Sequence, residues 1–330
     1  MMIRKIEFLI FILISLMSAS CRQEENIKKL EIAVAKNNIR KAEKELLDIQ
    51  HISDAEYTRL CQLSVENKNL AVPLMLIEKG MSPDIYVSDL PLSFYFVDFA
   101  TNSEFSELLK ANVNLQLTDN KEFRNILEYS VCLDKKDFFT ALEKKMAEYS
   151  SEASFINQMF RILKYAIRTK KINYAHAIIE DVTFSDREKY DCLKYFEELI
   201  LKQVPEDLVA SFLKKNKDIL LKTEMFSYHV VTHYSYLKDC GMDISDAKLI
   251  IPDEAVADIL LDGDPKGIKW FLNKIDCKKK YPMNGELREI KDILNYRIRI
   301  KSGAIDGSYE EMKEKNKNEI QLLKQVKQSL

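Results

Sequence analysis

Between Leu60 and Asp84 apolar positions come in two clusters at helical spacing, separated by a short polar break. Leu60, Leu63 and Val65, with the small Ser64, form the first cluster, and Leu70, Leu74, Leu76 and Ile77 the second. Asn67-Lys68-Asn69 lies between them, and these are residues that favour turns. Pro73 falls in the first turn of the second cluster, where a missing N–H costs little. Gly80 follows the last periodic residue, where a helix stops in a left-handed conformation. The pattern predicts helix, turn, helix and exit. One such pair cannot bury its apolar faces alone, so pairs must stack.

The same alternation recurs along the chain. It is seen in Leu30–Leu47 (break at Asn37-Asn38), Leu90–Asn114 (Asn102-Ser103) and Phe123–Lys145 (Asp134 to Lys136). It continues in Phe160–Glu180 (Thr169 to Lys171), Cys192–Lys215 (near Pro205) and Ala255–Ile275 (Gly263-Asp264-Pro265). The breaks near 37, 68, 102, 135, 170 and 205 are 31 to 35 residues apart. That is the period of a helix-pair array. Met225–Ile244 leaves room for only a shortened pair. Leu287–Lys301 predicts a helix ended by Ser302-Gly303-Ala304, and Tyr309–Leu330 a charged helix with a thin apolar stripe. A polar-backed pair over residues 285–330 would cover the last apolar face, as a helical cap does. With 7 Gly and 7 Pro in 330 residues, turn-rich β architectures are disfavoured and an all-α fold is expected.

Particular residues add a resemblance. Leu90-Pro91-Leu92-Ser93 resembles the Thr-Pro-Leu-His start of an ankyrin repeat. Glu78-Lys79-Gly80-Met81-Ser82-Pro83-Asp84 is similar to its exit Glu-Lys-Gly-Ala-Asp-Pro-Asn, and Ala111-Asn112-Val113-Asn114 and Gly241-Met242-Asp243-Ile244 are further versions. The Trp/Gly/Tyr pattern of tetratricopeptide arrays is absent, and Trp270 is the chain's one tryptophan. The resemblance implies an ankyrin-like solenoid over residues 30–284. Most repeats depart from the Thr-Pro-Leu-His box, and Lys110 stands where an exit glycine would. The resemblance also implies a finger over Met81–Asp89 of the kind that meets partners. Aromatic residues follow it, of which Tyr86, Phe94 and Tyr95 are the candidate contacts.

The N-terminus has its own logic. Arg4 and Lys5 precede an apolar run, Phe8–Met17, that is too short to span a bilayer as a helix. It fits a secretory signal over residues 1–20. Met17-Ser18-Ala19-Ser20-Cys21 resembles the lipobox of bacterial lipoproteins, which implies cleavage before Cys21 and a diacylglycerol on its thiol. Residues 21–29 then read as a polar tether. Arg22 replaces the Asp that tends to hold such proteins in the inner membrane, so the outer membrane is the expected address.

Charge and cysteine usage exclude more than they add. The net charge is −2, and it becomes −3 once Arg4, Lys5 and Glu7 leave with the signal, so nothing marks a nucleic-acid partner. After Cys21 come Cys61, Cys132, Cys192, Cys240 and Cys277, an odd and widely spaced set that is neither a disulfide framework nor a zinc pattern. His229 and His233, four apart on one helix, could share a metal with Asp239 or Cys240, yet HVVTH lacks the glutamate of HExxH. Gly263-Asp264-Pro265-Lys266-Gly267 does not fit the GxxxxGK[ST] phosphate loop and reads as an inter-helix turn. Cys277-Lys278-Lys279-Lys280 is a short basic run.

These readings converge on a lipid-anchored protein of the bacterial envelope. It would bind a protein through its loops and inner helices, without catalysis, cofactor, metal or small-molecule substrate. The alternatives are an immunity or inhibitor protein against an envelope-acting toxin or hydrolase and, less favoured, a metal-dependent enzyme centred on His229 and His233.

Overall fold

The computed structural model describes residues 23–202, 204–242, 250–305 and 310–330, with backbone alone for 304, 305, 310 and 311. The signal segment and Cys21 lie outside the described residues. Among the described residues the fold is mostly helical, at 69%. The chain divides into two compact units, one ending at Phe155 and the other starting at Ile156.

The first unit opens with α1 (residues 23–35), α2 (Ile39–Leu47), α3 (Asp54–Glu66) and α4 (Ala71–Glu78). A two-residue hairpin, β1 (Tyr86–Val87) against β2 (Leu90–Pro91), leads into α5 (Leu92–Phe99) and α6 (Asn102–Lys110). Then come α7 (Ile126–Cys132), α8 (Lys136–Tyr149) and the start of α9 (Glu152–Arg168). Residues 23–29, expected as a tether, are the opening turns of α1, and Ile27 is buried among the core residues. Leu30, Leu60, Leu76, Phe94, Phe96 and Leu142 carry the core of this unit. Phe105 stacks on Phe138 with ring centroids 4.2 Å apart.

The turns inside the helix pairs are built alike. Asn37, Lys68, Asp134 and Lys170 all have φ between 51° and 60°, the left-handed region. In each case the N–H one residue further on reaches back five residues to a carbonyl. Asn38 bonds Ala33, Asn69 bonds Ser64, Lys135 bonds Ser130 and Lys171 bonds Ala166, all at 2.8–2.9 Å. This is the Schellman closure of a helix C-terminus. The acceptor residues are small and fully buried, which lets the second helix fold back closely. The break near 102 differs: Thr101 caps α6 in a reciprocal box with Glu104. Equivalent boxes start α3 (Ser53 with Glu56) and α7 (Asn125 with Glu128).

The second unit contains α10 (Ile172–Asp181), α11 (Lys189–Leu201), α12 (Glu206–Leu220), and a shortened pair, α13 (Glu224–Thr232) and α14 (Tyr234–Asp239). It continues with α15 (Asp253–Asp262), α16 (Pro265–Phe271), the hairpin β3 (Tyr281–Met283) with β4 (Glu286–Arg288), α17 (Ile290–Ile305) and α18 (Glu310–Gln328). Two expectations change here. Leu287 lies in β4, 65% exposed, because Asn284 and Gly285 both take φ > 0 and turn the chain into a hairpin. Helix α17 runs through Gly303 instead of ending at Ser302. Ile293, Leu294, Leu323 and Val326 of the last two helices share one core with Val256, Leu260, Ile268 and Phe271.

Within each unit, side chains tie one pair to the next over a recurring distance along the chain. Asn67 Nδ2 donates to Val34 O at 3.2 Å and Lys79 Nζ to Leu46 O at 2.9 Å. In the second unit Tyr195 Oη donates to Ile156 O at 2.7 Å, Lys215 Nζ to Val182 O at 2.7 Å and Tyr236 Oη to Val204 O at 2.9 Å. Arg297 Nη1 donates to Leu260 O at 2.8 Å. These links span 32 to 39 residues. Gly263 and Gly267 are needed for contact. A Cβ on Gly267 would lie 2.4 Å from Val231 O, and one on Gly263 would lie 2.5 Å from Ile259 O.

Candidate partner-binding surface

Two loops of the first unit form adjacent fingers. The first is β1–β2, turned at Ser88, whose φ is 57°. The second runs from Asn114 to Asn125 and closes through an antiparallel bridge between Thr118 and Asn125. Asp119 organises it. This carboxylate, 1% exposed, accepts from Lys121 N at 3.0 Å, Glu122 N at 2.5 Å, Arg124 N at 3.2 Å and Arg124 Nε at 2.9 Å. Burial alone would raise its pKa. The hydrogen bonds from Glu122, Arg124 and Lys121, with the Arg124 charge, outweigh burial and hold it below the ordinary carboxylate value. Phe123 sits at the turn with φ 54° and is 70% exposed.

The fingers are tied together. Tyr86 Oη donates to Thr118 O at 2.9 Å, Asn120 N donates to Asp89 O at 3.2 Å, and Asp84 Oδ1 accepts from Asn114 N at 2.8 Å. The exposed ion pair Lys121–Asp89, at 3.3 Å, adds little energy. The result is a surface with two solvent-facing rings, Tyr86 and Phe123, on loops that brace each other. Aromatic anchors held this way lose little entropy on binding.

The expected contact residues separate. Tyr86 is exposed and belongs to this surface. Tyr95 is partly buried, and its hydroxyl donates to Val87 O at 2.9 Å, so it supports the first finger from behind. Phe94 does not reach the surface: it is 0% exposed and packs on Tyr129 at 4.9 Å. Helix α5 is apolar on nearly every side, so Phe94 faces inward. Phe123, taken from periodicity as the start of a helix, is the surface residue that sequence reasoning missed. The nearest signal was Asp119, a buried polar residue placed to accept from the backbone of its own loop.

The other chemical candidates resolve as follows. His229 Nε2 lies 2.9 Å from Glu197 Oε1, and His233 Nδ1 is 2.9 Å from Thr232 Oγ1. Among the described residues no group of three or more His, Cys, Asp or Glu is placed to hold a metal ion. Gly263-Asp264 is the turn from α15 to α16, Pro265 to Gly267 open α16, and Asp264 Oδ1 caps Lys266 N at 2.8 Å. Lys279 pairs with Asp253, and Lys280 lies 3.9 Å from Glu289, so the basic run is partly neutralised locally. Cys61, Cys192 and Cys240 are buried free thiols, Cys132 is half-buried and Cys277 is exposed. No described helix is long and apolar enough to cross a membrane.

Compared with known proteins, the chain matches no family model, no curated protein and no solved structure.

Proposed function

We propose that this chain is a lipid-anchored, ankyrin-like repeat protein of the bacterial envelope that binds another protein through the two fingers of its first unit. The helix pairs supply a scaffold, Cys21 the attachment to the membrane, and Tyr86 and Phe123 the anchors. The observation that carries the reading is the bracing of the two fingers, above all the hydrogen bond from Tyr86 to Thr118 that fixes one exposed ring against the loop bearing the other. The links of 32 to 39 residues between pairs support the repeat reading. The apolar run before Cys21 supports the anchor.

A photo-crosslinking amino acid placed in cells at Tyr86 or Phe123, with Tyr190 and Leu322 as exposed controls, tests the surface. A discrete adduct from the first two positions and none from the controls is the expected result; equal labelling everywhere sinks it. Metabolic labelling with a fatty-acid analogue, lost in Cys21→Ser, tests the anchor separately.

A further inference from the structure

A second groove lies in the second unit, between α13 and the segment Ile250–Asp262, with a volume of about 370 Å³. Its apolar side is made by Met225 and Ile250, 51% and 44% exposed, with Ala255 and the buried Ile259 beneath them. Ser227 Oγ accepts from Ile250 N at 3.1 Å and holds that wall to α13.

The rim carries charge of one sign. Glu224, Asp258 and Asp262 line the groove, and among the described residues no lysine or arginine does. None of the three is ion-paired among the described residues, whereas nearby Asp253 and Glu289 have lysine partners. Tyr228 Oη donates to Asp262 Oδ2 at 3.0 Å. Burial, then the bond to Asp262 and the charges of Asp262 and Asp258, push the Tyr228 pKa up to about 12. Carboxylates beside a low-dielectric apolar wall concentrate negative potential and draw in a cation. The apolar wall selects against a bare cation, because its exposed side chains gain only when apolar surface covers them.

We propose that this groove docks a short basic, apolar peptide segment of a partner protein. An apolar side chain of that segment covers Met225 and Ile250. A neighbouring lysine or arginine lays its stem along Ala255 and its head between Asp258 and Asp262. The site lies in the second unit and does not depend on the finger surface.

The test uses the full chain in a mild non-ionic detergent and three fluorescein-labelled peptides. One alternates leucine with lysine and arginine, one has glutamine at each basic position, and one is hexalysine. The mixed peptide should bind at least tenfold more tightly than the other two. Binding should weaken at least tenfold in the double variant Asp258→Asn/Asp262→Asn and in Met225→Lys, which reverses the field at an exposed rim position with little risk to folding. Tyr86→Ser and Phe123→Ser should leave it unchanged. Absence of binding by the mixed peptide, equal binding of the neutral peptide or hexalysine, or unchanged affinity in both groove variants would overturn the proposal.

Discussion

Asn69 Nδ2 donates to Asn37 Oδ1 at 2.8 Å, joining the inter-helix turns of two successive pairs. Asn37 is one of four non-glycine residues that hold a left-handed backbone at such turns, and Lys68, next to Asn69, is another. Asparagine tolerates that conformation, whereas lysine pays about 1 kcal/mol for it. Lys68→Gly and Lys170→Gly should therefore each stabilise the protein by about 1 kcal/mol, whereas Asn37→Gly, which also deletes the Oδ1 that Asn69 bonds, should not stabilise it. Chemical denaturation at constant m-value measures this. A loss of stability in Lys68→Gly would contradict the strain reading.

Glycine substitutions should split by contact. Gly267→Ala places a Cβ 2.4 Å from Val231 O and 2.6 Å from Tyr234 Cβ, and should cost about 2–3 kcal/mol through displacement of the backbone. Gly303→Ala, in α17 with nothing within 4 Å, should stabilise by about 0.5–1 kcal/mol. Thermal unfolding of both variants decides it. A neutral Gly267→Ala would mean that α16 does not approach α13 this closely.

Asp119 should govern the acid stability of the first unit. Its folded pKa is below its ordinary value of 3.8, so its stabilisation is complete above about pH 4 and is lost as pH falls through the lower folded value. Asp119→Ala should cost about 3 kcal/mol at neutral pH, because four hydrogen bonds to one buried carboxylate disappear. The gap between variant and wild type should narrow below pH 4. Denaturation midpoints across pH 2.5–7 check this, and a pH-independent gap would contradict it.

His233 acts at a different pH. Burial, followed by the neighbouring His229 charge, holds its pKa below the ordinary 6.5. The neutral ring is thus the form the fold accommodates. Stability is full above about pH 6.5 and falls as pH drops from there towards the folded value. His233→Gln should remove part of that slope between pH 7.5 and 5. An unchanged slope would assign the dependence elsewhere.

How much of this could be read from residues alone depends on the kind of signal. The helix pairs were visible because apolar clusters and polar breaks recur, and the turns at Asn37, Lys68, Asp134 and Lys170 fall at those breaks. The spacing Leu287, Ile290, Ile293, Leu294 imitates one helix, yet Asn284-Gly285, a strong two-residue hairpin signal, cuts Leu287 away from it. Phe94 and Phe123 were misplaced for opposite reasons. Helix α5 has no polar stripe to mark an outside, and the second finger is fixed by hydrogen bonds to Asp119 that no apolar pattern encodes.

The short reach of the links between pairs bears on how the chain folds as well as on stability. Each inter-pair hydrogen bond named above closes within 39 residues, so its second partner follows the first closely whenever the chain emerges N-terminus first, as it does on crossing a membrane. An emerging chain can therefore complete one layer before the next has appeared, and little apolar surface waits uncovered for a distant segment.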